Sequence, residues 1–470
     1  MPQHALHELI ALAGLAAAET GQIRIDRDDP VFPTPYRVAA SGAAAIAAAG
    51  YAAAELWRLR SGSRQRVAVD ARAAAAALRS SRYLQVDGKT PDGPRDPLSG
   101  FYPVRDGRWV CIHCNFPHHR DAAMKVLGAP PEREAAMRAS ANWDGLELED
   151  AIHAAGGCAG FARSAREWAQ HPHAAAVAAQ PLLEILRIGD APPEPLPPGA
   201  RPLAGVRVLD LTRVLAGPTC ARALAEHGAE VLKINAPHLP DSGAYEFDTG
   251  IGKRAAHLDL RNAQDAATLR ALAASADVFS QSYRPGALAG RGFAPEHLAQ
   301  LRPGIVCVSL SAWGGSGPWR ERRGFDTIVQ TVSGMALASG DGARPRYLPV
   351  SAIDYVSGYL MALGTMAALA HRAVEGGSWL VRVSLARTGR WIVDRGRLDA
   401  AALRGIPEEL AAAEIARLTM ETESPLGRIR HLRPVAVLSE TPAHWTQPPV
   451  PLGHDRPAWD VPAAQPNRNR

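Results

Sequence analysis

PLAGVRVLDLTRVLAGPTCARALAEHGAEVLKINAP, residues 202–237, reads as a strand, a small-residue turn, a helix and a second strand. Positions 206–211 form a short apolar run of buried-strand type, and Ala216-Gly217-Pro218 then breaks the chain. Helical spacing runs from 220 to 226, Gly228 stops it, and 230–234 supplies the next strand. Strand, helix, strand at this spacing is a βαβ unit, which implies a parallel sheet. The turn lacks G-x-G-x-x-G, so a dinucleotide-binding reading loses its main support.

Outward from this unit, residues 39–69 align with 353–383 at a constant offset of 314. Ala48, Gly50, Ala53, Ala54, Arg58, Gly62, Val67 and Val69 then meet Ala362, Gly364, Ala367, Ala368, Arg372, Gly376, Val381 and Val383. Alanine matches carry little weight in an Ala-rich chain; two Gly, one Arg and two Val in register carry more. The pattern reads as an internal repeat of a helix followed by a strand, against the alternative of two unrelated Ala-rich helices. Between the copies, 191–198 (APPEPLPP) reads as a semi-rigid linker.

The 470 residues suffice for two or three domains, and 47% hydrophobic with 21% charged residues is ordinary for a soluble globular protein. The net charge of +5 is mild, Lys occurs only at 89, 125, 233 and 253, and no Arg/Lys block forms a stripe, so a nucleic-acid partner is not expected. An Ala-rich helix to about position 19, with no basic region before it, argues against a secretory signal. No uninterrupted apolar run reaches the roughly 20 residues of a membrane span, so no membrane partner is expected. Five scattered cysteines, at 111, 114, 158, 220 and 307, fit a reduced cytoplasmic protein.

An ordered series of motifs continues past the βαβ unit: Gly252-Lys253-Arg254, Ala276-Asp277-Val278-Phe279, Arg284-Pro285-Gly286-Ala287-Leu288, Gly292-Phe293, Arg302-Pro303-Gly304-Ile305-Val306, the loop 314–318, and Arg323-Gly324-Phe325-Asp326 with Gln330. In this order they resemble the amino-terminal half of the family III CoA-transferases, which include formyl-CoA, carnitine-CoA and bile-acid-CoA transferases and related acyl-CoA racemases. The resemblance implies an α/β fold, with a Rossmann-like parallel sheet in a large domain and a smaller α+β domain. Gly100-Phe101-Tyr102, Asp106 to Val110 and Trp168 near His171-Pro172 resemble the family's small-domain and return segments. The organisation expected is a helical leader (1–35), a segment like the family's carboxy-terminal half (36–190), the linker (191–201), a segment like its amino-terminal half (202–395), and a return segment with tail (396–470). The order is that of a duplicated and trimmed gene.

The resemblance also implies the chemistry. An Asp carboxylate attacks a thioester carbonyl, giving a mixed aspartyl anhydride and then an aspartyl-CoA thioester, so one exchange is divided into easier steps. By motif position that nucleophile is Asp354, and the first copy has Ala40 at the corresponding place. Read locally, Asp354 is an N-cap before an apolar helix spanning 359–370, where helix N–H groups and the dipole would keep it ionised. Phe325 stands where the racemase branch has a His, and an apolar ring cannot be a general base; its plain role is core packing. Coenzyme A enters as a substrate, with no resident cofactor. Contacts to it are expected from Val214, Leu215, Ala216, Lys253, Arg254, Arg284, Gly314, Gly315 and Arg323, each cation also readable as an ordinary surface charge. Asn235-Ala236-Pro237 replaces a charged family segment, so one basic contact to the nucleotide is expected to be missing.

Cys111, His113, Cys114, His118 and His119 form the one cluster with metal-ligand chemistry, but no second Cys pair accompanies it, and on a strand Cys111 and Cys114 point to opposite faces. No metal site is expected. The reading is thus a CoA-transferase acting on acyl-CoA and a carboxylic acid, expected as a homodimer. A non-catalytic acyl-CoA binder is the alternative, and a racemase a weaker one.

Overall fold

The computed structural model describes residues 2–460 apart from 92, 94 and 241. Seven strands form the principal sheet: β1 (Glu184–Gly189), β2 (Arg207–Leu211), β3 (Glu230–Asn235), β4 (Lys253–His257), β5 (Val278–Gln281), β6 (Val306–Ser311) and β7 (Ser378–Ser384). Their order is β4-β3-β2-β5-β6-β7-β1, with every pairing parallel except the antiparallel edge strand β1. That edge strand precedes the Pro-rich linker, so a strand from the first half completes the sheet of the second. The linker is tied down, because Glu194 pairs with Arg302 at 2.5 Å and Gly377 N–H donates to Ala191 O at 2.9 Å.

Four helices position the site: α1 (Val38–Ser61), α2 (Ala216–Glu226), α3 (Asp326–Val332) and α4 (Ala352–Glu375). The expected break at Ala216-Gly217-Pro218 is instead the first turn of α2. Proline is tolerated there because first-turn N–H groups have no intrahelical partner to lose. Gly217 is required by close approach: a Cβ would lie 2.3 Å from Cβ of Thr212. Gly358 likewise lets α4 cross α2, since its Cβ would meet the Ala216 carbonyl oxygen at 2.5 Å.

The repeat has a direct structural counterpart. Helices α1 and α4 are both 24 residues long, stand 314 residues apart at each end, pack on one another, and are each followed by a strand, Val67–Asp70 and β7. Contrary to the expectation from uninterrupted runs, both are long and apolar enough by length and composition to cross a bilayer. Interspersed Gly, Ser, Thr and Tyr hide this from a run count without lowering the average enough. Their surfaces are taken up by protein: α1 from Val38 to Leu56 is buried continuously.

A three-stranded antiparallel sheet, Gly100–Pro103, Trp109–Ile112 and Ala159–Phe161, packs with three helices around a separate core that includes Tyr102, Val110, Leu148 and Ile152. After β7 and the helix Leu385–Asp394, the chain returns to the first half. The hairpin Thr419–Ser424/Gly427–Leu432 pairs with Gln85–Val86, and Val437–Leu438 pairs with Val67–Asp70. The last ten positions of the expected tail lie outside the described residues. The leader is helical only over Pro2–Leu12, and it then forms a strand, Ile23–Asp26, parallel to Val67–Asp70.

Candidate active site

Helix α4 begins seven residues earlier than its apolar pattern, at Ala352, which places Asp354 inside the first turn and makes Ser351 the N-cap. The carboxylate that satisfies this helix start is Asp326, at the first turn of α3. Its Oδ2 accepts from Asp354 N–H at 3.0 Å, its other oxygen accepts from the Gln330 side-chain amide, and Ile353 N–H also points to it. Asp354 therefore gets no capping bonds of its own. Burial, then the adjacent Asp326 charge, push its carboxyl well above the usual range. This reverses the expected direction: the N–H groups that would have kept Asp354 ionised are spent on Asp326. Asp326 itself is raised to about 6 by burial, opposed by its hydrogen bonds. Two neighbouring buried carboxyls disfavour double ionisation, which keeps Asp354 protonated more readily than an isolated carboxyl.

The first half of the chain fixes this helix start in space. Ser351 N–H donates to Leu78 O at 2.9 Å. One residue beyond Asp354, the Tyr355 hydroxyl meets Ser80 Oγ at 3.0 Å within a buried cluster in which Asp248 accepts from Ser80 and pairs with Arg222 at 3.0 Å.

Asp354 and Asp326 line a cleft of about 450 Å³ between the principal sheet's helices and the small sheet. Tyr347, Leu348, Val350 and Gln330 form one wall; Cys111, His113 and Asn115 of the small sheet form the other. His113 stacks on Phe325 with ring centroids 3.9 Å apart and planes 4° apart. Burial lowers the imidazole to about 3, so it is neutral at physiological pH. Phe325 thus faces the cleft as well as the core, and the ring it carries is covered by an imidazole from the other half of the chain. Tyr245 stands at the junction with a second, outward cavity of about 370 Å³ that shares Arg95, His113, Asn115 and Val214 with the first. Its phenol is raised to about 12 by burial and then by Asp354 and Asp326, with Arg82 and Arg95 acting oppositely.

The nine residues expected to contact CoA are dispersed. Val214 lines the cleft with Asp354, in a left-handed conformation (φ 69°) that is costly for a β-branched residue. Leu215 and Ala216 are buried beneath it. Arg284, Gly314 and Gly315 line a separate cavity of about 500 Å³ at the carboxyl ends of β5, β6 and β7. Arg323 lies near Arg284 and close to His118, and both its burial and Arg284 lower its guanidinium. Neither Arg284 nor Arg323 has an ion-pair partner among the described residues. Lys253 reaches no cavity: its ammonium is enclosed, paired with Asp210 at 2.7 Å and donating to Pro218 O at 2.8 Å. Arg254 is also committed elsewhere, to Asp460 at 2.8 Å. A buried amine held by Asp210 and the Pro218 carbonyl is a brace for α2, and a surface-loop reading of Lys253 is corrected accordingly.

Cys111 and Cys114 enter different cores, with Cys111 bonded to the Tyr347 hydroxyl at 2.9 Å. Among the described residues no group of three His, Cys, Asp or Glu side chains is arranged to hold a metal ion. Sequence reasoning missed Tyr245, Arg82 and Arg95, none of which lies in a periodic segment, and weighed His113 only as a metal ligand; Asp326 had a signal as the acid that ends the Arg323-Gly324-Phe325-Asp326 motif.

The model of CoA-transferase family III matches residues 7–192 and 203–418. An acetyl-coenzyme A transferase of Hypoxylon pulicicidum is 29% identical over 323 residues, 63% of this chain and 54% of its own length. The beta subunit of a succinyl-CoA–L-malate CoA-transferase of Chloroflexus aurantiacus is 33% identical over 192 residues, 37% of this chain and 47% of its own. A solved Mycobacterium tuberculosis protein is 32% identical across 42% of this chain and 58% of its own, with a TM-score of 0.39. The chain spans about half the length of these two curated relatives.

Proposed function

The chain belongs to CoA-transferase family III, and from that membership we propose that it moves CoA from an acyl thioester to a free carboxylic acid, with Asp354 as the covalent carrier. The observation that carries the reading is the position of Asp354 on the wall of a cleft of about 450 Å³ that shares lining residues with an outward cavity of about 370 Å³.

An Asp354 oxygen attacks the thioester carbonyl carbon, the C–S bond breaks, and CoA thiolate leaves a mixed anhydride. The thiolate then attacks the Asp354 carbonyl and expels the donor acid, giving an aspartyl-CoA thioester. The acceptor carboxylate attacks that thioester, and the released thiolate takes the acceptor's acyl group, returning Asp354 to a carboxylate. No proton or electron is consumed over the cycle. The attacking form is ionised Asp354, so the proton that burial and the Asp326 charge keep on it must leave first, and the rate rises with pH. His113, Phe325 and Phe116 line the approach and limit water that would hydrolyse the anhydride. Arg284 and Arg323, cations without acidic partners, with Arg213 over the Phe116 ring, are the groups to meet the CoA phosphates.

The test is incubation with acyl-CoA esters followed by hydroxylamine and mass analysis of the peptide bearing Asp354. A hydroxamate on that peptide, absent in Asp354→Asn, supports transfer. Binding of esters with no adduct overturns it in favour of a non-catalytic binder.

A further inference from the structure

The wall contributed by the first half of the chain presents a hydrogen-bond acceptor and a donor that remain unused among the described residues. They belong to His113 and Asn115, which stand just past the strand Trp109–Ile112 and line both the inner cleft and the outward cavity. Asp354 lines the inner cleft alone, so this pair marks the junction between the two spaces.

Each side chain is fixed by the contacts it already makes, and each has one end left over. Asn115 Oδ1 accepts from Ser99 Oγ at 2.5 Å and from Asp96 N–H at 3.2 Å, which identifies the oxygen and turns the NH₂ group away from both donors. That NH₂ has no partner among the described residues. The buried His113 ring lies flat on Phe325, and its backbone N–H donates to Cys158 O at 2.9 Å. Its Nδ1 is enclosed and faces the residue's own carbonyl, which places the proton of the neutral ring there. Nε2 is left with a lone pair, and it too has no partner among the described residues. Burial lowers the ring to about 3, so at neutral pH it is an acceptor and not a cation.

An acceptor beside a donor is the complement of a secondary amide, whose N–H and C=O need one of each. A carboxylate would set a negative charge against the His113 lone pair. An apolar chain would leave both groups desolvated and unpaired, which is costly. In a CoA thioester the first amide of the pantetheine arm stands two carbons from the sulfur, so a carbonyl held at Asp354 puts that amide toward the mouth of the inner cleft.

We propose that His113 Nε2 and Asn115 Nδ2 clamp the pantetheine amide nearest the sulfur, Nε2 accepting its N–H and Nδ2 donating to its C=O. The half of the chain with Ala40 in place of a nucleophile thus contributes to holding the thioester. The proposal rests on the transfer reading for what meets Asp354, and on the unpaired donor and acceptor for the amide itself.

The experiment measures how well two small thioesters displace labelled butyryl-CoA from the Asp354→Asn chain, where no turnover intervenes. S-(2-acetamidoethyl) butanethioate carries the amide; S-(2-acetoxyethyl) butanethioate replaces only its N–H by oxygen. The amide is expected to displace about 10-fold better than the acetoxy compound, and His113→Phe, which keeps a flat ring on Phe325, to bring that ratio to about one. Asn115→Asp, which keeps the oxygen held by Ser99 and Asp96, is expected to weaken both compounds alike, since both retain the carbonyl. Equal displacement by the two, a ratio that survives His113→Phe, or affinities unmoved by Asn115→Asp overturns the proposal. A preference for the amide in a chain that forms no Asp354 adduct with any CoA ester supports the clamp while sinking the transfer reading, so the two failures are distinguishable.

Discussion

Helices α1 and α4 start in the same way and then part company. At α1, the Asp29 carboxylate accepts from Ala39 and Ala40 N–H at 2.9 and 2.8 Å; at α4, Asp326 accepts from the N–H groups of the two residues 314 further on, Ile353 and Asp354. Both capping acids are raised to about 6, chiefly by burial. The difference is the next side chain outward. Ala40 is 4% exposed and borders none of the described cavities, whereas Asp354 opens on a cleft. The acid and its helix lie 11 residues apart in the first case and 28 in the second. The longer connection contributes Gln330, Tyr347 and Leu348, which build the cleft wall. Capping a buried helix start is thus separable from presenting a carboxylate to a cleft, and the first half of the chain does only the former.

The sharpest break of this comparison is Asp354→Asn, expected to lower the transfer rate about 10⁴-fold or more while the chain stays folded, read by a CoA-transfer assay alongside a thermal melt. Adding Ala40→Asp to that variant is expected to restore nothing, because the second carboxylate would have no cleft to act in. Ala40→Asp alone should cost about 2–3 kcal/mol at pH 8, by urea unfolding, since it buries a second acid beside ionised Asp29. The penalty shrinks at pH 5, where a shared proton removes the repulsion. Asp326→Asn keeps an acceptor for the α4 N–H groups but removes the charge, so the pH–rate midpoint is expected to fall by about one unit. Asp29→Asn leaves that midpoint in place.

The smallest effect concerns stability against pH. Asp29 and Asp326 bind their protons more tightly folded than unfolded, so their contribution is complete below pH 3.8 and is lost as pH rises through about 6. The buried neutral histidines, His113, His119, His173 and His227, pull the other way, so Asp29→Asn should make the melting temperature rise more steeply with pH between 4 and 7 than in the unsubstituted chain.

The βαβ unit at 202–237 was legible because local patterns specify it: an apolar run, helical spacing, and Gly228 at the stop. The repeat was legible for the same reason, since helix and strand are local. The start of α4 was not. Residues 352–358 are helical because a distant carboxylate satisfies the Ile353 and Asp354 N–H groups while Leu78 O takes that of the N-cap Ser351, and neither acceptor is visible in the segment itself. The motif positions picked out Asp354 and Val214, which line one cleft, but also Lys253, whose ammonium is held by Asp210, 43 residues earlier. Cations read singly look alike; which are paired is decided by strands that meet in space.

The sequence by itself determined the parallel sheet, the duplicated helix and strand, and the single carboxylate where the other copy has alanine, because each is written in spacing along one segment. Only the tertiary structure decided that Asp354 is buried beside Asp326, that His113 covers Phe325, and that Arg82 and Arg95 line the same cleft. Charge and burial act through space over a few ångströms, and the residues that meet here come from segments up to hundreds of positions apart.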